Sequence, residues 1–472
     1  MSVENFTDPE KWALQQWGDV DLGDSRRTNR AVEVGAALAQ NPGASLPAQM
    51  ESWNQLKAAY RLLGEEDVTH TALSQPHWQS TLCQAKQSGA PVVLFIQDTT
   101  ELDYTAKKRT SGLGHIGDGR GQGIMLHTCL AVVPRPLNPD ILGIAGQLPW
   151  MRPSMTKAQK CALKQSKNPS DSTIEHTEAD IWGDIIESIG IAPAPNTEQT
   201  WVSVGDRGSD IFSYLRRSMK LGWQCLMRVT QNRVIVTPDN RKTYLKQFAR
   251  SLSSMTQKTI ALRGRDGEQS RQVDLEIAWE AITVKPPTSG PERKELPIAG
   301  WCIRCWEVPD DDSSEGLEWI LFTTVPVTDA AVAKEQLDWY ATRWVIEEYH
   351  KCLKSGCAIE QRQLETGDGL LRLLGFLAII AVRLLQLRTA SRMDGAADAR
   401  QFVPNYMLKV LCARLGLFKE QLTLSEFWKS VARLGGFIGR KSDGSPGWQT
   451  LWRGWARLQD MCWAAQLAAQ QF

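Results

Sequence analysis

The chain has 472 residues, 54 Lys and Arg against 53 Asp and Glu, a formal net charge of +1 and 42% hydrophobic residues. That length has room for two or three domains with cores of their own, and the composition is ordinary for a soluble globular protein. The balanced charge leaves a nucleic-acid partner open only through local clustering of cations; no apolar run reads as a membrane span, and the acidic start MSVENFTDPE does not read as a signal peptide.

Residues 9–70 predict helices. LGDSRRTNRAVEVGAALAQNPG offers Asp24 or Ser25 as an N-cap and Asn41-Pro42-Gly43 as a stop, and ESWNQLKAAYRLL predicts a second helix ending at Gly64. From about 90 the period changes. APVVLFIQDTT, MLHTCLAVVP and ILGIAGQLPW read as strands. A helix is expected around 172–189, then a strand in TWVSVGDRGSD that ends in an acid. Residues 225–330 are mostly β-like, with turns at PDN, GRDGE and PPTSGPE and an acidic loop, VPDDDSSEG. YATRWVIEEYHKCLK predicts a helix over 340–354. An apolar helix, GLLRLLGFLAIIAVRLLQLR, and a tryptophan-rich helical tail follow. The ten cysteines show no disulfide or zinc framework: Cys302 and Cys305 are three apart in an apparent strand and so point to opposite faces. All ten read as reduced thiols.

At about 100° per residue, Tyr340, Arg343, Glu347 and Lys354 fall within an arc of roughly 60° on one helix. Glu348 faces elsewhere. Arg343 and Glu347 alone are an ordinary i,i+4 pair on a solvated face. A Tyr and a second cation in line with them suit a site that handles an anion. Asp98 closes one apolar run and Asp206 another. An acid after a strand is commonly a turn cap. Three carboxylates brought to one cleft are also what Mg²⁺ takes, because it prefers oxygen ligands and keeps positions for water and phosphate. Two such ions can serve the attacking and leaving oxygens of a phosphoryl displacement.

The stretches LGDSRRTNR, QDTT, VGDRGSDIFSYL, YATRWVIEEYHKCLKSG, FLAIIAVRLLQLR and ARLGGFIGRKSDGSPGWQTLWRGW, in this order over almost the whole chain, resemble the DDE transposases of insertion-sequence family four. The spacing Y-x2-R-x3-E-x6-K is that family's signature. The resemblance implies an α/β fold: an RNase H-like catalytic core, a mixed sheet flanked by helices, with a β-rich insertion. It implies an N-terminal helical DNA-binding domain over 1–70, the catalytic domain over 71–370 with its insertion at about 225–330, and a C-terminal helical dimerisation domain over 371–472. The implied triad is Asp98, Asp206 and Glu347 around Mg²⁺, two ions, with Mn²⁺ able to substitute. The implied chemistry is staged. Water nicks the transposon end, the freed 3′-hydroxyl forms a hairpin, water opens it, and the 3′-hydroxyl attacks target DNA. Tyr340, Arg343 and Lys354 would grip the phosphates of the end being cut.

Further DNA contacts are expected on the same footing. Arg26, Arg27 and Arg30 stand in the first turns of their helix, where cations oppose the macrodipole and a phosphate would remove that cost. Trp319 is expected to stack on a base flipped from the hairpin. Arg207, Arg228 and Arg233, and the loop cations Lys107, Lys108, Arg109 and Arg120, are expected near phosphates. The loop's Gly112–Gly117 spells GxGxxG but follows no clear strand and precedes no helix, so it is not read as a dinucleotide site. His127 and His350 read as structural or phosphate contacts. Trp448, Trp452 and Trp455 form a stripe that packs either on this chain or on a second copy. The expected partners are double-stranded DNA, as inverted ends and target, and a homodimer in the paired-end complex, each end cut by the other subunit. The expected compartment is the bacterial cytoplasm, at the nucleoid. An RNase H-fold nuclease without strand transfer and a DNA-binding regulator remain the alternatives.

Overall fold

The computed structural model describes residues 8–135, 138–152, 177–194, 197–262, 271–308, 316–391, 396–417, 421–440 and 444–471. The first helices form where their caps stand. Asp8 opens α1 (Pro9–Trp17) and Asp24 opens α2 (Ser25–Gln40), its carboxylate accepting from the Arg26 N–H at 2.8 Å. Ser52 caps α3 (Trp53–Gly64), and Thr69 caps α4 (His70–Gln87). The apolar stripes of α2 and α3, with Ala31, Val34, Leu38, Leu56, Ala59 and Leu62, enter the main core.

Strands β1 (Val92–Asp103), β2 (Gly114–Ile116), β3 (Gly121–Val133) and β4 (Asp140–Trp150) follow, then α5 (Ile181–Ile189), β5 (Thr200–Gly205), α6 (Phe212–Lys220) and β6 (Gln224–Arg228). The helix expected around 172–189 is α5, and its expected beginning lies outside the described residues. β1, β3 and β4 are an antiparallel meander, while β5 runs parallel to β1 and β6 parallel to β5. The order β4-β3-β1-β5-β6 is that of an RNase H-like core.

The β-rich insertion is realised as β7 (Val234–Val236), β8 (Lys242–Tyr244), α7 (Leu245–Ser251), β9 (Thr256–Leu262), β10 (Arg271–Val284), β11 (Ile298–Glu307) and β12 (Glu318–Thr323). It does not stand apart from the core: β12 pairs with β6, so the described strands make one 12-stranded sheet. The GRDGE turn and most of VPDDDSSEG lie outside the described residues. Alternation divides the sheet between two apolar layers. Leu94 and Ile96 face one, Val93 and Phe95 the other, and Cys302 and Cys305 likewise part company. The described cysteines are free thiols, and Cys161 lies outside the described residues.

The remaining helices are α8 (Ala330–Thr342), α9 (Trp344–Lys351), α10 (Gly367–Ala390), α11 (Asn405–Leu415), α12 (Leu424–Leu434) and α13 (Trp448–Gln471). The sequence reading that no run is long enough for a membrane span is corrected by α10. Within its Gly367–Thr389 stretch an 18-residue window has a mean hydropathy of 2.1, enough by length and composition to cross a membrane. Its apolar window is 89% buried inside this fold, which accounts for the hydropathy as that of a central core helix. The tryptophan stripe packs on its own chain. Trp448 joins the main core, Trp455 a separate C-terminal cluster with Phe427 and Trp428, and Trp452 borders both. Trp463 of α13 is 64% exposed and points away.

Candidate active site

The register of β1 against β5 builds the site. Ile96 lies opposite Val204, so Asp98 and Asp206 are each two residues further along neighbouring parallel strands. Asp98 is not at a strand end as the sequence suggested: β1 runs on to Asp103, still paired with β3. Its pairing with β5 stops at Ile96, because β5 ends at Gly205. Asp206 caps the 3₁₀ turn Arg207–Ser209, accepting from the Gly208 N–H at 2.7 Å, so this acid does serve as a turn cap.

Burial, then the neighbouring charge of Asp206, pushes the Asp98 carboxyl up to about 7; Glu347 adds to this, while the Thr99 N–H and Arg343 oppose it. Asp98 therefore feels the charges of both other acids. They do not form a finished cage: among the described residues no three Asp, Glu, His or Cys side chains are grouped to hold a metal ion. Glu347 is instead engaged by Arg343, whose Nη2 donates to Glu347 Oε1 at 2.8 Å. The donor set nevertheless fits a hard divalent cation. It is all carboxylate oxygen, and a cation between Asp98 and Asp206 would relieve the repulsion and burial that hold Asp98 partly protonated.

The signature segment is not the single α-helix expected. Arg343 interrupts it, with two i→i+3 bonds: its N–H to Tyr340 O and the Ile346 N–H to Arg343 O, both at 3.1 Å. A wide π turn follows over Cys352–Gly356, closed by the Cys357 N–H on Cys352 O at 2.9 Å. The uniform 100° step fails at both places. Tyr340, Arg343 and Glu347 still meet, but Lys354, carried on the π turn, stands 3.5 Å from Glu360. Glu348 does face elsewhere, 3.1 Å from Arg388 of α10.

A cationic and aromatic edge adjoins the acids. The Arg343 guanidinium is 5.9 Å from the Tyr340 ring, and Trp319 meets Tyr340 edge-on with centroids 5.2 Å apart. Arg343 Nε is buried and has no partner among the described residues. Burial, then the nearby charge of Arg207, holds Arg228 below its ordinary value, with Arg343 acting in the same direction. The charges of Arg207 and Arg343 thus act against that of Arg228, a repulsion that an anion would relieve. Arg233 is not free to join them: it is ion-paired at 2.8 Å with Asp210, in side chains only 15% and 4% exposed. On α2, Arg26 is 89% exposed beside Asp24, Arg27 pairs with Glu65 and Asp67, and Arg30 pairs with Glu33.

His127 and His350 are buried, and burial pushes both down to about 3, so both are neutral at ordinary pH and poor bases. His127 links Thr99, at 2.7 Å, to Gln97, at 2.9 Å, and Gln97 donates to Ser203 on β5. This buried chain ties β1 to β3 and β5 around Asp98. Sequence reasoning missed it, because nothing in the spacing of Gln97, Thr99, His127 and Ser203 announces a cross-strand network. It also passed over Trp344, half exposed with its ring 5.6 Å from the Arg343 guanidinium, although its place next to the signature Arg was a usable signal.

Three family models match the chain. The transposase DNA-binding family matches residues 9–68, the transposase DDE domain residues 179–383, and the transposase Tn5 dimerisation domain residues 379–470. The DDE match contains Asp206, Glu347 and the signature, and begins after Asp98.

Proposed function

This chain belongs to the DDE transposases, metal-dependent enzymes that cut and join DNA, and resembles that of transposon Tn5, with DNA-binding, catalytic and dimerisation regions in that order; on this premise we propose how its parts act. Residues 1–70 bind the inverted ends of the element, residues 71–370 carry the chemistry, with the insertion at about 225–330, and residues 371–472 pair two copies. Asp98, Asp206 and Glu347 hold Mg²⁺, as two ions, with Mn²⁺ substituting. Bound there, the metal supplies an activated attacking oxygen and a stabilised leaving oxygen at phosphorus.

The chain's own residues do the positioning. Arg343 exchanges Glu347 for a phosphate of the end being cut, which frees the third carboxylate for the site. Tyr340 and Lys354 grip neighbouring phosphates, and Arg207 and Arg228 add positive charge along the strand. Holding one 3′ end in line through nick, hairpin, opening and joining is where positioning supplies rate. Trp319 receives a base flipped from the hairpin, and stacking of roughly 1–3 kcal/mol offsets part of the unstacking. Arg26, Arg27 and Arg30 contact the end, with Arg26 the most accessible. Arg233 serves the fold through Asp210. The course is cut-and-paste transposition on double-stranded DNA, in a homodimeric paired-end complex in the bacterial cytoplasm.

The observation that carries this reading is the Arg343–Glu347 pair set beside the Asp98–Asp206 pair and an arginine cluster. The test is purified protein with Mg²⁺ and a DNA fragment bearing the source element's inverted repeats, wild type beside Glu347→Ala, resolved on a denaturing gel. Hairpins and joined products from wild type alone support it. Nicks without joining would favour a nuclease, and bound but uncut DNA with both proteins a regulator.

A further inference from the structure

Arg362 has no place in the chemistry above, yet its guanidinium is buried, with the residue 5% exposed. It donates to the carbonyls of Pro42 and Ala44, to Gln49 Oε1 at 3.2 Å, and twice to the carbonyl of Cys357, at 2.9 and 3.3 Å. Gln49 in turn donates to the Asn41 carbonyl at 2.6 Å. One side chain thus joins two chain segments. Asn41–Gln49 directly follows α2, the helix that carries Arg26, Arg27 and Arg30. Cys357 directly follows the π turn that carries Lys354. The segments touch so closely that a Cβ on Gly43 would lie 3.2 Å from the Gly356 carbonyl oxygen.

The same pattern recurs nearby. Arg372 of α10 donates to Val68 O at 2.7 Å and Leu63 O at 3.2 Å, at the end of α3. A buried cation whose donors are spent on backbone carbonyls orients what it holds, because a planar fork accepts few geometries. An apolar side chain would fill the same space without fixing any angle.

We propose that Arg362 is a positioning residue, which fixes the register between the end-reading helix α2 and the catalytic signature turn, so that the spacing from recognised sequence to cut bond is dictated by the protein. The proposal rests on the reading of α2 as the end-binding helix. It holds whether an end is cut by the subunit that reads it or by the other, because the docking of the two units lies on the path in either case. One base pair displaces the cut bond by about 3.4 Å along the duplex. A misplacement of about 1 Å is enough to cost about a hundredfold in rate. A rigid pin therefore makes spacing a selection rule.

The test uses full-length protein and end fragments with one base pair added or removed between the protected sequence and the cut bond. End binding is read by gel shift, and cut position at nucleotide resolution. Wild type is expected to cut its native end at one bond and the altered ends at least about tenfold more slowly. Arg362→Lys keeps the charge but loses the fork. It is expected to bind the native end within about threefold of wild type, to narrow the spacing discrimination to about threefold, and to spread its cuts over adjacent bonds. Unchanged discrimination in folded Arg362→Lys, or parallel loss of binding and cutting with discrimination intact, would overturn the proposal. Should Arg362→Lys not fold, Gln49→Ala removes only the brace and is judged by the same loss of discrimination, and its absence counts against the proposal. Wild type that fails to cut its native end refutes the proposed function instead.

Discussion

Replacing Asp98 with Asn is expected to stabilise the metal-free protein while abolishing cleavage. The carboxyl is raised from 3.8 to about 7 by burial and by Asp206, so the folded chain holds a proton that the unfolded chain gives up. Stability is therefore lost as pH rises from the unfolded value near 3.8 to the folded value near 7, and the loss levels off above it. A shift of that size is worth about 4 kcal/mol at its limit, at about 1.4 kcal/mol per unit. Asn removes the ionisation and keeps the shape. Its advantage over wild type is small near pH 4 and grows by roughly 2–3 kcal/mol between pH 5 and pH 8. The assay is denaturant unfolding of both proteins in chelator at several pH values, followed by titration with Mg²⁺. Wild type is expected to recover stability with Mg²⁺ by mass action and the variant not. A variant less stable than wild type at pH 8, or an advantage that does not change with pH, would refute the assignment of Asp98 as a carboxylate held at a cost for a cation.

Other perturbations separate function from fold. Trp319→Ala is expected to leave the first nick intact and slow hairpin formation by about tenfold or more, the equivalent of roughly 1–3 kcal/mol of stacking; single-turnover gels read both steps, and equal slowing of both would sink the base-stacking role. Arg233→Ala leaves Asp210 without its ion-pair partner and should cost about 3 kcal/mol of stability with end binding per folded molecule unchanged, checked by thermal melts beside gel shifts. Trp455→Ala empties a buried site in the C-terminal cluster and should cost about 3–5 kcal/mol. Trp463→Asp, on the exposed side of α13, should leave the melt unchanged and weaken assembly on paired ends, read by native gel or sedimentation.

Local chemistry is legible in the sequence where the physics is local. Asp24, Ser52 and Thr69 announce their helices because a capping oxygen satisfies N–H groups two or three residues away. Continuous apolar runs announce β1, β3, β4 and β5, and Cys302 and Cys305 take opposite faces because a strand alternates. The signature spacing pointed to Tyr340, Arg343 and Glu347 together, and they do meet. What the sequence by itself determined is which stretches become helix or strand and which side chains are the candidates for the chemistry. Only the tertiary structure decided the rest. Register and the end of β5 at Gly205 put Asp98 inside β1 yet level with Asp206. A tight turn at Arg343 and a π turn at Cys352 moved Lys354 toward Glu360, because helix phase depends on hydrogen bonds that no spacing rule records. Pairing of β12 with β6 merged the insertion with the core. Burial of α10 placed a span-like helix at the centre of the fold. Arg362 reaches across 318 and 320 positions of sequence to its carbonyl partners, a separation at which composition and period carry no information, because such contacts exist only once the chain has closed on itself.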